Sequence, residues 1–193
     1  PDHFVGKFYV LFAEKAKEND TYEQKAQEML LNWEKGDPAT VSLWEKMNDW
    51  ALTGFRETFL LFGVEFEKEF YESKIYKHGK EIILDGLSKG LFKHRADGAV
   101  VADLTEYLLD EKVLLRSNGT SVYIVQDVYL AHLKNNLFNS KRSIYVVGNE
   151  QEYHFKVLRA ILSILNTAHA EDIHHLSYGM VELPDGKMKS REG

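Results

Sequence analysis

Three short segments of this 193-residue chain carry the residue types that hold charged ligands. The first is Gly148-Asn149-Glu150-Gln151-Glu152-Tyr153-His154, directly after an apolar run. A glycine at a strand end lets a ligand approach the backbone closely. Glu150, at a predicted helix start, has the carboxylate that accepts ribose hydroxyls in nucleotide-binding folds. The same carboxylate would offset the helix dipole in a plain strand-to-helix turn, and His154 reads equally as a partly buried histidine. The second segment holds Tyr123 and Asp127, four residues apart across a predicted strand end and helix start. An Asp offers the two-oxygen geometry that a guanidinium binds, and a Tyr adds a hydroxyl or a ring face. Asp127 is also a good helix N-cap. The third, Gly186-Lys187-Met188-Lys189-Ser190-Arg191, places three cations and a hydroxyl on a glycine-bounded loop. Such a loop suits a clamp on phosphates, or lies solvated at the surface.

Other chemistries find less support. The chain has no Cys, which removes thiolate catalysis, disulfides and Cys-based zinc sites. His169, His174 and His175 fit no standard metal spacing, and His174 and His175 would face opposite sides of a strand, so no metal ligand is predicted. The formal net charge of −6 argues against non-specific nucleic-acid binding by the chain as a whole, without excluding a local basic patch. No apolar run approaches the roughly 18 residues a membrane span needs, and no signal peptide is visible.

The elements that must position these residues fall into two parts. Residues 1–63 read as helical. Thr21-x-x-Gln24 fits a capping box, and Asp37-Pro38 fits an N-cap followed by a first-turn proline. Apolar stripes predict a helical hairpin that buries Trp33, Trp44 and Trp50. From residue 64 the pattern alternates. Strands are expected at 64–71, 98–104, 112–116, 120–125, 143–147 and 173–183, with a tight turn at Asn118-Gly119. Helices are expected at 73–89, 127–134 and 150–165, the last with Phe155, Leu158, Ile161, Leu162 and Leu165 on one face. This alternation implies an α/β fold with a mainly parallel sheet, in which segments 120–125 and 143–147 are parallel strands of one sheet and bring Tyr123, Asp127 and Gln151 together at one edge. Ligands in such folds bind at the carboxyl ends of strands, which is where Tyr123, Asp127 and Gly148–His154 fall.

In order along the chain, Pro1–Val10, Gly36-Asp37-Pro38, Leu114–Ser121, Ile144–Gln151 with His154-Phe155, and Ser177–Val181 leading into Gly186–Gly193 resemble the arginyl-tRNA synthetases over essentially the whole length. The resemblance implies an α/β fold: the second half of a Rossmann-like class I synthetase catalytic domain (residues 64–193), ending at the KMSKS-type loop. Residues 1–63 would be a helical connective segment. Tyr123, Asp127 and Gln151 then match the positions that hold the substrate arginine, with Asp127 facing its guanidinium. Gly148, Glu150 and His154 match the nucleotide-side motif. Met180 and Val181 match the strand whose backbone reads adenine. Lys187 matches the first, catalytic lysine of the KMSKS-type loop, with Lys189 and Ser190 beside it on the ATP phosphates. The loop departs from the family pattern, since Lys189 stands where a serine is usual and Ser190 where a second lysine is usual.

The implied parent is an ATP-dependent ligase that makes arginyl-adenylate and passes the arginyl group to the tRNA 3′ end. Its partners would be arginine, tRNA(Arg) and ATP, the last a substrate accompanied by Mg²⁺, with no tightly bound cofactor. The parent would be a cytoplasmic monomer. The HIGH motif would lie before Pro1 and the anticodon-binding domain after Gly193, so the chain by itself is expected to be inactive. The alternative is a catalytically silent paralogue that binds tRNA or a partner through the same fold. A different amino-acid specificity is disfavoured by the presence of Asp127.

Overall fold

The computed structural model describes residues 2–75, 78–180, 182–184 and 186–187, with the side chains of Leu183 and Lys187 not included. Two compact units result: Pro1–Lys68 with Val181–Gly193, and Glu69–Met180.

Three helices make up most of the first unit: α1 (Asp2–Glu18), α2 (Thr21–Glu34) and α3 (Pro38–Leu61). Their ends follow local chemistry. The Asp37 Oδ2 accepts the Thr40 N–H at 2.9 Å and its hydroxyl at 2.8 Å, with Pro38 in the first turn, so the expected N-cap of α3 forms. The expected capping box at Thr21 does not. Thr21 is already helical, and its N–H goes to Asn19 Oδ1 at 2.9 Å. Helix α3 ends at Gly63, whose φ of 66° is costly for other residues; Val64 N–H reaches back to Phe59 O and Gly63 N–H to Leu60 O. This is the Schellman arrangement of paired C-terminal bonds. The segment 64–71, expected as a strand, is irregular; the Phe66 ring instead meets Phe59 edge-on at 4.9 Å. Burial of the tryptophans is partial. Trp33 packs on Trp44 at 5.3 Å and Phe4 on Trp50 at 5.8 Å, yet Trp44 stays exposed and Gly54 is the one buried residue on these helices. The remaining described part of this unit is a hairpin of β6 (Glu182–Leu183) and β7 (Gly186–Lys187) in place of a single long strand to residue 183.

The second unit begins with α4 (Glu72–Ile75) and α5 (Gly79–Ser88), where one helix was expected over 73–89. A small antiparallel sheet follows, ordered β1 (Lys93–His94), β2 (Val100–Ala102), β3 (Lys112–Leu115), with all of β2 buried. Gly119, at φ 78°, closes the expected turn after β3. The chain then makes a single bridge, Ser121 to Leu115, before α6 (Tyr123–Phe138) starts. The expected strand at 120–125 is therefore extended only to Val122. Val122, Ile124 and Val125 are β-branched and favour strands locally. Yet Ile124, Val125 and Val128 recur at helical spacing, and all three are buried, so tertiary burial selects the helix.

The strand β4 (Ser143–Gly148), a short 3₁₀ turn (Asn149–Gln151), α7 (Glu152–Ile164) and β5 (Ile173–Tyr178) form a β-α-β unit, with β4 and β5 parallel and Tyr145 opposite His175. The partner of β4 is β5, and the segment 120–125, expected as a parallel strand of the same sheet, is not part of it. Helix α7 buries Phe155, Leu158, Ile161 and Leu162, as its spacing predicts. One core joins these side chains to Ile83, Leu104, Leu114, Val125 and Val128. The fold is α/β, as expected.

Candidate functional site

Asp127 lies on the second turn of α6, four residues after Tyr123, so the two share a helix face. Because α6 starts at Tyr123, Asp127 is inside the helix and caps nothing; the reading of it as an N-cap is overturned. Its carboxylate faces α7 instead. His154 Nε2 donates a hydrogen bond to Asp127 Oδ2 at 2.7 Å. The side chains are 26% and 38% exposed respectively, so the pair is shielded on its core side and open on the other. Each carboxylate oxygen has two lone pairs, so the Asp127 Oδ1 and the second lone pair of Oδ2 remain for a ligand's N–H groups.

The core fixes this geometry. Val125 and Val128 flank Asp127 on α6, and Phe155 follows His154 on α7; all three are buried. Phe155 stacks on His175 at 4.6 Å and tilts against Tyr145 at 4.9 Å. His175 Nε2 donates to Val147 O at 2.9 Å, which ties that ring to β4.

Gly148 ends β4 with an ordinary φ of −57°, so conformation does not demand glycine there. A Cβ on Gly148 would lie 2.5 Å from Glu150 Oε2, so a larger residue there would make the exposed Glu150 side chain swing away. The Glu150 carboxylate folds back over the strand end, close to Gly148. Gln151 stands at the N-cap position of α7, one turn before His154, without a side-chain cap bond, and is exposed. Tyr123 is 76% exposed on α6 and Met180 45% exposed beyond β5, both open to a ligand.

Of the residues expected to act, the described structure joins Asp127 directly to His154 and Glu150 to Gly148. Val181, Lys189 and Ser190 lie outside the described residues, and of Lys187 only the backbone, in β7, is described.

Two residues of this neighbourhood escape the motif reading. Lys134 is two turns beyond Asp127 on α6, and its Nζ sits 3.8 Å from the centroid of the Tyr145 ring. Burial pushes the Lys134 ammonium below the ordinary lysine range, opposed by the charge of Asp127. Burial and then the Asp127 charge push the Tyr145 phenol up to about 12. The Tyr145 hydroxyl is buried and has no hydrogen-bond partner among the described residues. The signal for both was periodicity: Asp127, Ala131 and Lys134 fall on one helical stripe, and Tyr145 shares the core-facing parity of β4 with Val147.

Residues 3–193 match the family described as tRNA synthetases class I (R), catalytic domain. The chain belongs to that family. Its relatives include the arginine–tRNA ligase of Parabacteroides distasonis, 48% identical over 209 residues, which covers 100% of this chain and 35% of that protein. The arginine–tRNA ligase of Treponema denticola is 50% identical over 194 residues, covering 100% of this chain and 33% of that protein. The chain thus spans about a third of the length of these relatives. Among solved structures, arginyl-tRNA synthetase from Plasmodium falciparum superposes with a TM-score of 0.69 at 18% identity, over 91% of this chain and 33% of that one. The Thermus thermophilus arginyl-tRNA synthetase gives 0.65 at 21% identity, over 93% and 40%. These likenesses show the class I synthetase catalytic-domain fold. Among the described residues, no helix is long and apolar enough to cross a membrane.

Proposed function

We propose that this chain is the arginine-seating portion of an arginine–tRNA ligase, which activates arginine with ATP and transfers it to the 3′ end of tRNA(Arg). The observation that carries this reading is the Asp127–His154 hydrogen bond of 2.7 Å. It brings the carboxylate of the amino-acid side against the histidine of the nucleotide-side motif, as a site that condenses arginine with ATP requires. The relatives' names support the same substrate.

In this reading Asp127 receives the guanidinium, Tyr123 and Gln151 complete the arginine pocket, and Glu150 and His154 face the nucleotide. Gly148 gives Glu150 room, and Met180 and Val181 lie along adenine. Lys187, with Lys189 and Ser190, stabilises the phosphates as pyrophosphate leaves. The Mg²⁺ ion arrives with ATP. The reaction rests on positioning and charge stabilisation, without a protein nucleophile. Residues 1–63 are the connective segment of a catalytic domain whose second half is 64–193, within a monomeric cytoplasmic enzyme.

The chain alone should be inactive. Parallel sheets normally bury both faces. One face of β4–β5, with Ile144, Val146, Leu176 and Tyr178, is apolar and exposed, as expected if the half bearing the HIGH motif packs there.

The test is arginine-dependent ATP–pyrophosphate exchange by the full-length enzyme with cognate tRNA. Asp127→Asn replaces a charge-assisted contact, which contributes about 1.5–3 kcal/mol. The arginine KM should rise accordingly. An arginine KM and kcat equal to the parent's would remove Asp127 from the pocket, and exchange activity in the 193-residue chain alone would refute the half-site reading.

A further inference from the structure

Asp127 has two cationic candidates near it and engages one. His154 holds Oδ2, while Lys134, on the same stripe of α6, makes no ion pair among the described residues. Geometry alone does not keep Lys134 away. Residues seven apart on a helix are about 10.5 Å apart along the axis, and side chains lean toward the N-terminus, here toward Asp127. The residue between them on the stripe is Ala131, too small to block a lysine stem. An ammonium released on this stripe would therefore find the open Asp127 oxygen. What it meets instead is the face of Tyr145, at 3.8 Å. The ring is itself wedged: it leans on Phe155 at 4.9 Å, and its hydroxyl is buried without a partner, so hydroxyl bonding does not account for its position. Desolvation strengthens a cation–π contact, and Lys134 is half-buried here.

We propose that Tyr145 is a positioning and specificity residue for the amino-acid site: its ring holds Lys134 off the Asp127 carboxylate and so keeps that carboxylate free for the guanidinium of the substrate. The proposal rests on the reading of Asp127 as the guanidinium seat. Without the ring, Lys134 would swing to Asp127 and compete with arginine from within the chain. The substrate would then have to displace a tethered cation, which weakens its apparent affinity without touching the reacting carboxylate or the phosphates.

The experiment is steady-state arginylation by the full-length enzyme, with arginine varied at saturating ATP and tRNA. Tyr145→Leu should raise the arginine KM about tenfold, the scale of one charge-assisted contact, with kcat changed much less. Tyr145→Phe keeps the ring and should behave as the parent. The deciding variant is Tyr145→Leu with Lys134→Met, in which the competitor is gone; its arginine KM should return toward the parent value. If the double variant stays as poor as Tyr145→Leu, the ring only supports the sheet and the proposal is overturned. Lys134→Met alone gives an arm that does not depend on Tyr145→Leu folding: it should leave the arginine KM unchanged or lower. A higher KM would mean that the lysine assists the substrate, which also overturns the proposal. Asp127→Asn in the same assay separates the two levels. An unchanged arginine KM there overturns the seat and the proposal together, whereas a raised KM with failed rescue overturns the proposal alone.

Discussion

The two units of this chain solve the packing problem differently. Residues 69–180 gather α6, α7, both sheets and α5 around a continuous core that includes Ile83, Leu104, Val128, Leu158 and Ile161. The helices α1–α3 are long and well capped at α3, yet Gly54 is their one buried residue, and Phe4, Phe8, Phe55 and Leu61 stay exposed. Burial therefore contributes less to those helices than to the second unit, and among the described residues only α3 is fixed by a side-chain cap. The difference bears on function. The Asp127–His154 pair of the candidate site is held by the core of its own unit. Lys187 belongs to the other unit, on a hairpin two residues long on each side. In the proposed enzyme, affinity for arginine would come from the packed unit and rate from the sparsely packed one.

The sharpest way to break this contrast is to remove core volume. Ile161→Ala empties a fully buried position and should destabilise by about 2–5 kcal/mol. Leu61→Ala removes a side chain that is 88% exposed and should stay within about 0.5 kcal/mol. Hydrogen exchange of the α6, α7 and α3 amides in the full-length protein reads both. Equal losses would show that α3 packs as tightly as α7.

Lys187→Ala tests the assignment of rate to the hairpin. Charge grows on the leaving pyrophosphate in the transition state beyond that of bound ATP. Losing a preorganised group there costs about 10²–10³ in kcat. Activation by the full-length enzyme should fall by that factor, with the ATP KM changed far less. Lys189→Ala should be milder. The reverse ranking would mean that Lys189 is the working lysine and that the loop register is shifted.

The smallest effect belongs to the surface of the packed unit. The Arg95 guanidinium first, and then the Ala99 N–H, hold the Asp97 carboxyl down at about 2. The Thr105 hydroxyl and Lys93 do the same for Asp103, also at about 2. Both pKa values are depressed on folding from 3.8, so this stabilisation is complete above about pH 4 and is lost as the pH falls through about 2. Acid unfolding of Asp97→Asn and Asp103→Asn should show a shallower slope in that window than the parent. An identical slope would mean that these exposed pairs are screened into insignificance.

What the sequence foretold correctly about the fold is local. Gly148 and Glu150 are neighbours along a strand end, and the spacing of Phe155, Leu158, Ile161 and Leu162 predicted both α7 and its buried face. The Asp37 cap and the Asn118-Gly119 turn are decided within four residues, and both formed. The misreadings share a different origin. Val122, Ile124 and Val125 favour strands as isolated residues; Val122 stays extended as the N-cap, but burial of Ile124 and Val125 against the core puts them in the first turn of α6. Tyr123 and Asp127 consequently sit on one helix face and not across a strand end.

What the sequence determined by itself is the family and the α/β class, and it nominated the groups of the candidate site, since residue order and local spacing carry these. The tertiary structure alone decided that Asp127 answers to His154 and not to a helix terminus, that β4 pairs with β5, and that Lys134 rests on Tyr145. Each of those joins residues from separate elements. A contact between separate elements depends on which apolar faces bury one another, and no local spacing encodes that choice.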